Sequence, residues 1–116
     1  MMGILRLDRS APSFSNGVAH VWIESRAPAD APAQRLAQIE LNDIGHNAGD
    51  SEAIPFDFAS YRAPPGGARL RAWVDVDGLG PARPGDLFST EAVAVAPGPC
   101  IVRVEDPSAG GDWGDE

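Results

Sequence analysis

Glycine and proline interrupt this sequence so often that little room remains for helices. The chain has 13 glycines and 11 prolines, and turn residues recur at intervals of roughly 8 to 12 residues, a spacing typical of short strands in a sandwich or barrel. The segment 70–95 is the clearest case, because an alternating strand leads into an acidic, glycine-rich turn and a second strand follows. The sequence therefore predicts an all-β domain.

Between the turns, apolar and polar side chains alternate with a period of two, which places the apolar ones on one face of a strand. Ala19, Val21 and Ile23 share such a face in the segment 18–25. Pro55 indicates an edge strand or a strand start, since it has no N–H for a ladder. We expect a single β-sandwich of short, mostly antiparallel strands. The predicted strands, about seven in number, are residues 4–7, 18–25, 36–41, 53–58, 69–76, 87–95 with a bulge near Thr90, and 101–105. A short helix is the alternative for residues 36–41.

A chain of 116 residues with 43% hydrophobic content fits one domain with one modest core. We expect residues 1–107 to form the sandwich and residues 108–116, which are acidic and glycine-rich, to form a disordered tail that carries Trp113. The predicted inner faces are made by Val21, Ile23, Ile39, Ile54, Phe56, Phe58, Leu70, Val74, Val93, Val95 and Val102.

Composition argues against several classes of protein. Nucleic-acid binding needs clustered cations, whereas the formal net charge is -8. Cys100 is the single cysteine, so neither an intrachain disulfide nor a thiolate-rich zinc site can form. No apolar run approaches the ~20 residues of a membrane helix, and the N-terminus lacks the apolar stretch of a signal peptide. As written, the chain is expected in the cytoplasm, or in the periplasm if a leader was removed, with no membrane insertion and no cofactor.

Several strand and turn segments occur in an order and spacing that is typical of one protein family. They are Val21 with Ile23, the loop 25–31, the strand 54–58, the strand 70–74, Asp77-Gly78 and Gly85-Asp86. Together they resemble the YbaY-like/YscW family of small bacterial β-sandwich lipoproteins and uncharacterised domains, some of which act as chaperones for secretins. The resemblance spans residues 18–95, implies an immunoglobulin- or transthyretin-like sandwich and carries no catalytic residues. Members that serve secretins are anchored through an N-terminal lipidated cysteine, whereas the cysteine here is Cys100.

Alternating aspartates followed by glycine make Asp75, Asp77 and Asp86 the candidate metal ligands. Calcium takes six to eight oxygen ligands, and such a loop supplies several of them. The bidentate glutamate that an EF-hand places at its twelfth position is missing, because Asp86 stands there. The alternative is a hairpin turn that uses Asp-Gly for positive φ.

No catalytic motif is present in the sequence. The serines lack the G-x-S-x-G context of a nucleophile elbow, and the absence of lysine excludes a phosphate-binding P-loop. A hydrolase would have to group His20 or His46 with a carboxylate and a nucleophile. We therefore predict that the chain is not an enzyme and rank a small hydrolase last.

Trp22 on one strand and Trp73, Arg69 and Arg71 on another are predicted to face outward. If these two strands adjoin, two indoles and two guanidinium groups form an amphipathic patch suited to an unknown protein partner. The alternative is that both tryptophans cover a second sheet or a loop. The predicted function is a non-catalytic binding or chaperone-like module that engages another protein through an unpaired sheet edge or through this patch, with a calcium-stabilised structural domain as the alternative.

Overall fold

The structure, a computed structural model, describes residues 2–9, 11–25, 34–58, 67–78, 80, 86–89, 93–95 and 100–105. All regular structure in these ranges is β-strand. The strands are β1 (Met2–Leu7), β2 (Phe14–Ser25), β3 (Arg35–His46), β4 (Glu52–Asp57), β5 (Ala68–Asp75), β6 (Leu87–Phe88), β7 (Val93–Ala94) and β8 (Cys100–Val104).

The strands form two sheets. In the three-stranded sheet, β1 lies between β4, with which it pairs antiparallel, and β8, with which it pairs parallel. The five-stranded sheet has the order β3-β2-β5-β6, and β7 also pairs with β5; all of its ladders are antiparallel. A bridge between Phe88 and Glu105 joins the two sheets on one side. The prediction of an all-β, sandwich-like and mostly antiparallel fold is confirmed.

The core lies between the two sheets and is made by the inner side chains of the central strands. Leu5, Val21, Leu70 and Val102 are 0% exposed. Each such side chain contributes about 1.5–3 kcal/mol by leaving water. Apolar side chains on outermost strands, which in the described ranges pair with a strand on one side only, are covered less well. Four predicted core residues are only half-buried: Ile39, Ile54, Val93 and Val95.

β2 and β3 extend further than simple alternation predicts. Their ladder changes register between Phe14 and Ala19, where Asn16 and Asp43 adopt φ values of 60° and 57°. Each of these residues sits at a bulge, one in each strand, so the two shifts compensate and pairing resumes beyond them. A bulge interrupts the period of two, which explains why residues 14–17 and 42–46 did not appear as strand in the sequence.

Three predictions fall on residues outside the described ranges: the bulge near Thr90, the tail 108–116 and the position of Trp113. The predicted strand 87–95 is represented by β6 and β7, which flank the undescribed residues 90–92. Among the described residues, no helix is long and apolar enough to span a membrane.

Candidate functional site

The four predicted partner-binding residues lie on one face of the five-stranded sheet. β2 and β5 are neighbours, and their antiparallel register brings the outward side chains into direct cross-strand pairs. All four side chains are half-buried. We call this surface the tryptophan face. Its cross-strand pairs are His20 with Trp73, Trp22 with Arg71, and Glu24 with Arg69.

Glu24 lies at the centre of the polar contacts on this face. Its Oε1 accepts a hydrogen bond from Trp22 Nε1 at 3.0 Å. Its Oε2 accepts bonds from Arg71 Nε at 2.9 Å and from Arg69 Nη2 at 3.1 Å. Glu24 is only 8% exposed, so both arginines are held by a carboxylate that is itself shielded from water. Sequence reasoning missed this residue, although its alternation with Trp22 placed it on the same face.

The pKa of Glu24 reports a balance between burial and its donors. Burial of the carboxyl raises the pKa, but hydrogen bonds from Trp22 and Arg71, together with the charges of Arg71 and Arg69, lower it by more. The net pKa lies below its ordinary value of 4.5. Glu24 is therefore ionised at neutral pH and fixes the two guanidinium groups in one geometry.

Trp73 is held by rings on both sides and by a carboxylate. The His20 ring stacks on it with centroids 4.4 Å apart, and Phe88 lies parallel to it at 6.4 Å. Trp73 Nε1 donates to Asp86 Oδ2 at 3.0 Å, and Asp86 is 1% exposed. Asp86 thus positions the indole from beneath the face.

A small cavity of ≈ 160 Å³ opens on the same face between β2 and β3. The guanidinium of Arg35 lies 4.1 Å from the ring centre of Trp22 and donates to Gln38 Oε1 at 3.1 Å. Glu40 Oε2 is 3.5 Å from His20 Nδ1. The cavity is lined by His20, Val21, Trp22, Arg35, Gln38, Ile39 and Glu40.

The predicted metal ligands lie where β5 ends and just before β6 begins, and two of the carboxylates accept backbone hydrogen bonds. Asp75, 2% exposed, accepts from the amides of Gly78 and Gly80. Asp86 Oδ1 accepts from the Val76 amide at 3.3 Å, while its other oxygen binds Trp73. Asp77 is exposed. Within the described ranges, no group of three His, Cys, Asp or Glu side chains is arranged to hold a metal ion.

The two histidines lie apart in different settings. His20 belongs to the tryptophan face, where no serine, threonine or cysteine lines the adjoining cavity. His46 is 4% exposed, with Nδ1 3.2 Å from the Pro12 carbonyl oxygen and Nε2 2.6 Å from that of Asp50. Both ring nitrogens of His46 therefore lie against backbone carbonyl oxygens. Cys100 is buried, and its Sγ donates to the Ala94 carbonyl oxygen at 3.8 Å.

The fold and the tryptophan face define a class: a small all-β, sandwich-like domain whose outward sheet surface carries an ordered aromatic and arginine cluster. Among solved structures, the chain is similar to an alternative pilotin from the type II secretion system of Vibrio cholerae. The two are 18% identical, the TM-score is 0.54, and the match covers 90% of this chain and 96% of that one. At this identity the likeness establishes the fold.

Comparison by sequence gives no family assignment. No family model matches the chain, and no curated protein matches it. The resemblance to the YbaY-like/YscW family therefore stays a prediction.

Proposed function

We propose that this chain is a non-catalytic, chaperone-like module that binds another protein through the tryptophan face. The observation that carries the proposal is the register of β2 and β5, which sets Trp22 opposite Arg71 and gathers both tryptophans and both arginines on one surface. Tryptophan and arginine are the side chains most enriched among residues that dominate binding energy at protein interfaces.

The face is ordered before any partner arrives. Glu24 fixes Arg69 and Arg71, while Asp86 and His20 fix Trp73. Immobilising a rotamer-rich side chain on binding costs about 0.5–1.5 kcal/mol, so a partner that binds this face avoids much of that cost. Since the carboxylate of Glu24 already pairs with both guanidinium groups, the partner is expected to contact the rings and the apolar stems of the arginines.

Two likenesses favour a protein partner over a small molecule. The solved structure with a similar fold is a pilotin of a secretion system, and the predicted family resemblance includes chaperones for secretins. The cavity beside Trp22, at ≈ 160 Å³, is also smaller than the 300–1,000 Å³ of ordinary ligand pockets.

The test is capture of partner proteins from the native host by the immobilised chain. Trp22→Ala and Trp73→Ala should each weaken capture of the same protein while the far-UV circular dichroism spectrum is unchanged. Arg103→Ala, an exposed change on β8 of the other sheet, is the matched control and should capture as the wild type does. Equal capture by all three variants would refute the proposal, and loss of folding in Trp73→Ala would place that ring in the core instead.

A further inference from the structure

β3 and β4 stand at the outer ends of the two sheets, and their outer edges differ in how well they can pair with an incoming strand. The bridge between β6 and β8 joins the sheets on one side, but in the described ranges no strand pairs with the outer edge of β3 or of β4. β4 has six residues with Pro55 near its middle, and proline has no N–H for a ladder. β3 has twelve residues and no proline. An incoming strand is therefore accommodated better by β3.

The inner side chains of β3 lack the cover that a further strand would give. Ile39 is paired with Val21, and Leu41 with Ala19. Both residues of β2 are 0% exposed, whereas Ile39 and Leu41 are only half-buried. Ala37, on the same side of β3, is also half-buried. An added strand would place every second side chain beside these three and remove apolar surface from water.

The exposed backbone determines the shape of the occupant. In an antiparallel sheet, an edge strand directs the N–H and C=O groups of alternate residues away from its neighbour. A helix satisfies its own backbone groups and cannot pair with them. The regular part of this edge runs over residues 37–41, because the β2–β3 register shifts between Ala37 and Arg35 at one end, and Asp43 adopts a φ of 57° at the other.

The charge of the chain favours another protein over a second copy of this chain as the occupant of the β3 edge. The chain carries a net charge of -8, which opposes self-association. On the outward side of β3, the Glu40 side chain is 62% exposed. A complementary strand would carry basic or neutral residues on that side and apolar residues on the other.

We propose that the outer edge of β3 binds an extended segment of the partner protein by strand addition, with apolar side chains at alternate positions facing Ala37, Ile39 and Leu41 and basic side chains facing Glu40. This inference rests on the proposed function in taking the occupant to be another protein. It adds the conformation and the side-chain pattern of the bound segment, which the tryptophan face alone does not define.

The probe is a synthetic, end-capped peptide of about nine residues, a typical strand length, in which valine alternates with threonine and arginine. Titration of the 15N-labelled chain should shift the amide signals of residues 35–43 and slow amide exchange at alternate residues of 37–41. A peptide of the same composition with valines at helical spacing should not do so. No binding of the alternating peptide at millimolar concentration would overturn the inference.

Two N-methylated peptides test the backbone pairing itself. One peptide carries methyl groups on the valine amides, and the other carries them on the amides of the intervening residues. In an antiparallel pair, only one of these two sets of amides points toward β3. Loss of three donors from that set should weaken binding by at least about tenfold, and the other peptide should bind as before. Equal behaviour of the two peptides would refute strand addition.

A charge exchange tests the register. Glu40→Arg should weaken binding of the arginine peptide by about threefold and strengthen binding of the corresponding glutamate peptide. Arg103→Glu on β8 is the matched control and should change neither. Slowed exchange in β3 that grows with protein concentration and needs no peptide would assign the edge to a second copy and overturn the inference. If capture still depends on Trp22 while the peptide fails, only the strand-addition inference is lost.

Discussion

Glu24→Gln is the change that most directly probes how the tryptophan face is held. The substitution keeps the size of the side chain and one carbonyl acceptor but removes the negative charge shared by Arg69 and Arg71. A buried hydrogen bond to a charged group is worth about 1.5–3 kcal/mol. The two arginine side chains are 34% and 35% exposed, so solvent screening reduces that value. We expect the free energy of unfolding at neutral pH to fall by about 1–2 kcal/mol.

The same residue predicts a pH dependence with a definite sign. The folded-state pKa of Glu24 lies below 4.5, its ordinary value. A carboxylate with a lowered pKa contributes stability that is fully present above the unfolded value and is lost as pH falls through the folded value. The stability difference between the wild type and Glu24→Gln should therefore be constant from neutral pH down to about 5 and shrink below it.

Urea denaturation followed by tryptophan fluorescence measures both effects, and Glu40→Gln is the matched control, since the Glu40 side chain is 62% exposed. The control should differ from the wild type by less than about 0.5 kcal/mol at every pH. A Glu24→Gln variant as stable as the wild type at neutral pH would refute the role given to this carboxylate. A difference that persists unchanged at about pH 3 would refute the lowered pKa.

Asp86→Ala leaves the part-buried indole N–H of Trp73 and the Val76 amide without their acceptor, so it should cost about 2 kcal/mol in urea denaturation; a variant as stable as the wild type would contradict these hydrogen bonds. Millimolar calcium should leave the thermal midpoint unchanged relative to EDTA, because Asp75 and Asp86 already accept hydrogen bonds from backbone amides and from the Trp73 indole. A raised midpoint would instead support the calcium-stabilised alternative. Gly3→Ala would bring a methyl group to 2.8 Å from the Cys100 carbonyl oxygen and against an aromatic ring, and should destabilise the fold by more than about 2 kcal/mol. Gly45→Ala, with its closest contact at 3.3 Å, should cost less.

Alternation in the sequence predicted the fold class and the sidedness of the central strands. Val21, Ile23 and Leu70 face the core, and Trp22 faces away from it, as the period of two requires. These features depend on local sequence only. The same argument placed the two arginines beside Trp73 on the outward face of one strand.

Other features depend on which strands become neighbours, and a single sequence does not specify that. Glu24 reads as a solvated residue at a strand end until β5 brings Arg69 and Arg71 against it. Ile39 reads as a core residue like Val21, yet it lies on the outermost strand β3, which pairs with β2 alone among the described strands, and it is half-buried. Burial and charge pairing at these positions follow from tertiary arrangement.

Hydrogen–deuterium exchange on the purified complex with a captured partner tests the central claim most directly. Binding through the tryptophan face and the adjoining edge predicts slower exchange in β2, β5 and β3, with β1 and β8 unchanged. Protection confined to β1 and β8, with the tryptophan-bearing strands exchanging as in the free chain, would contradict the account.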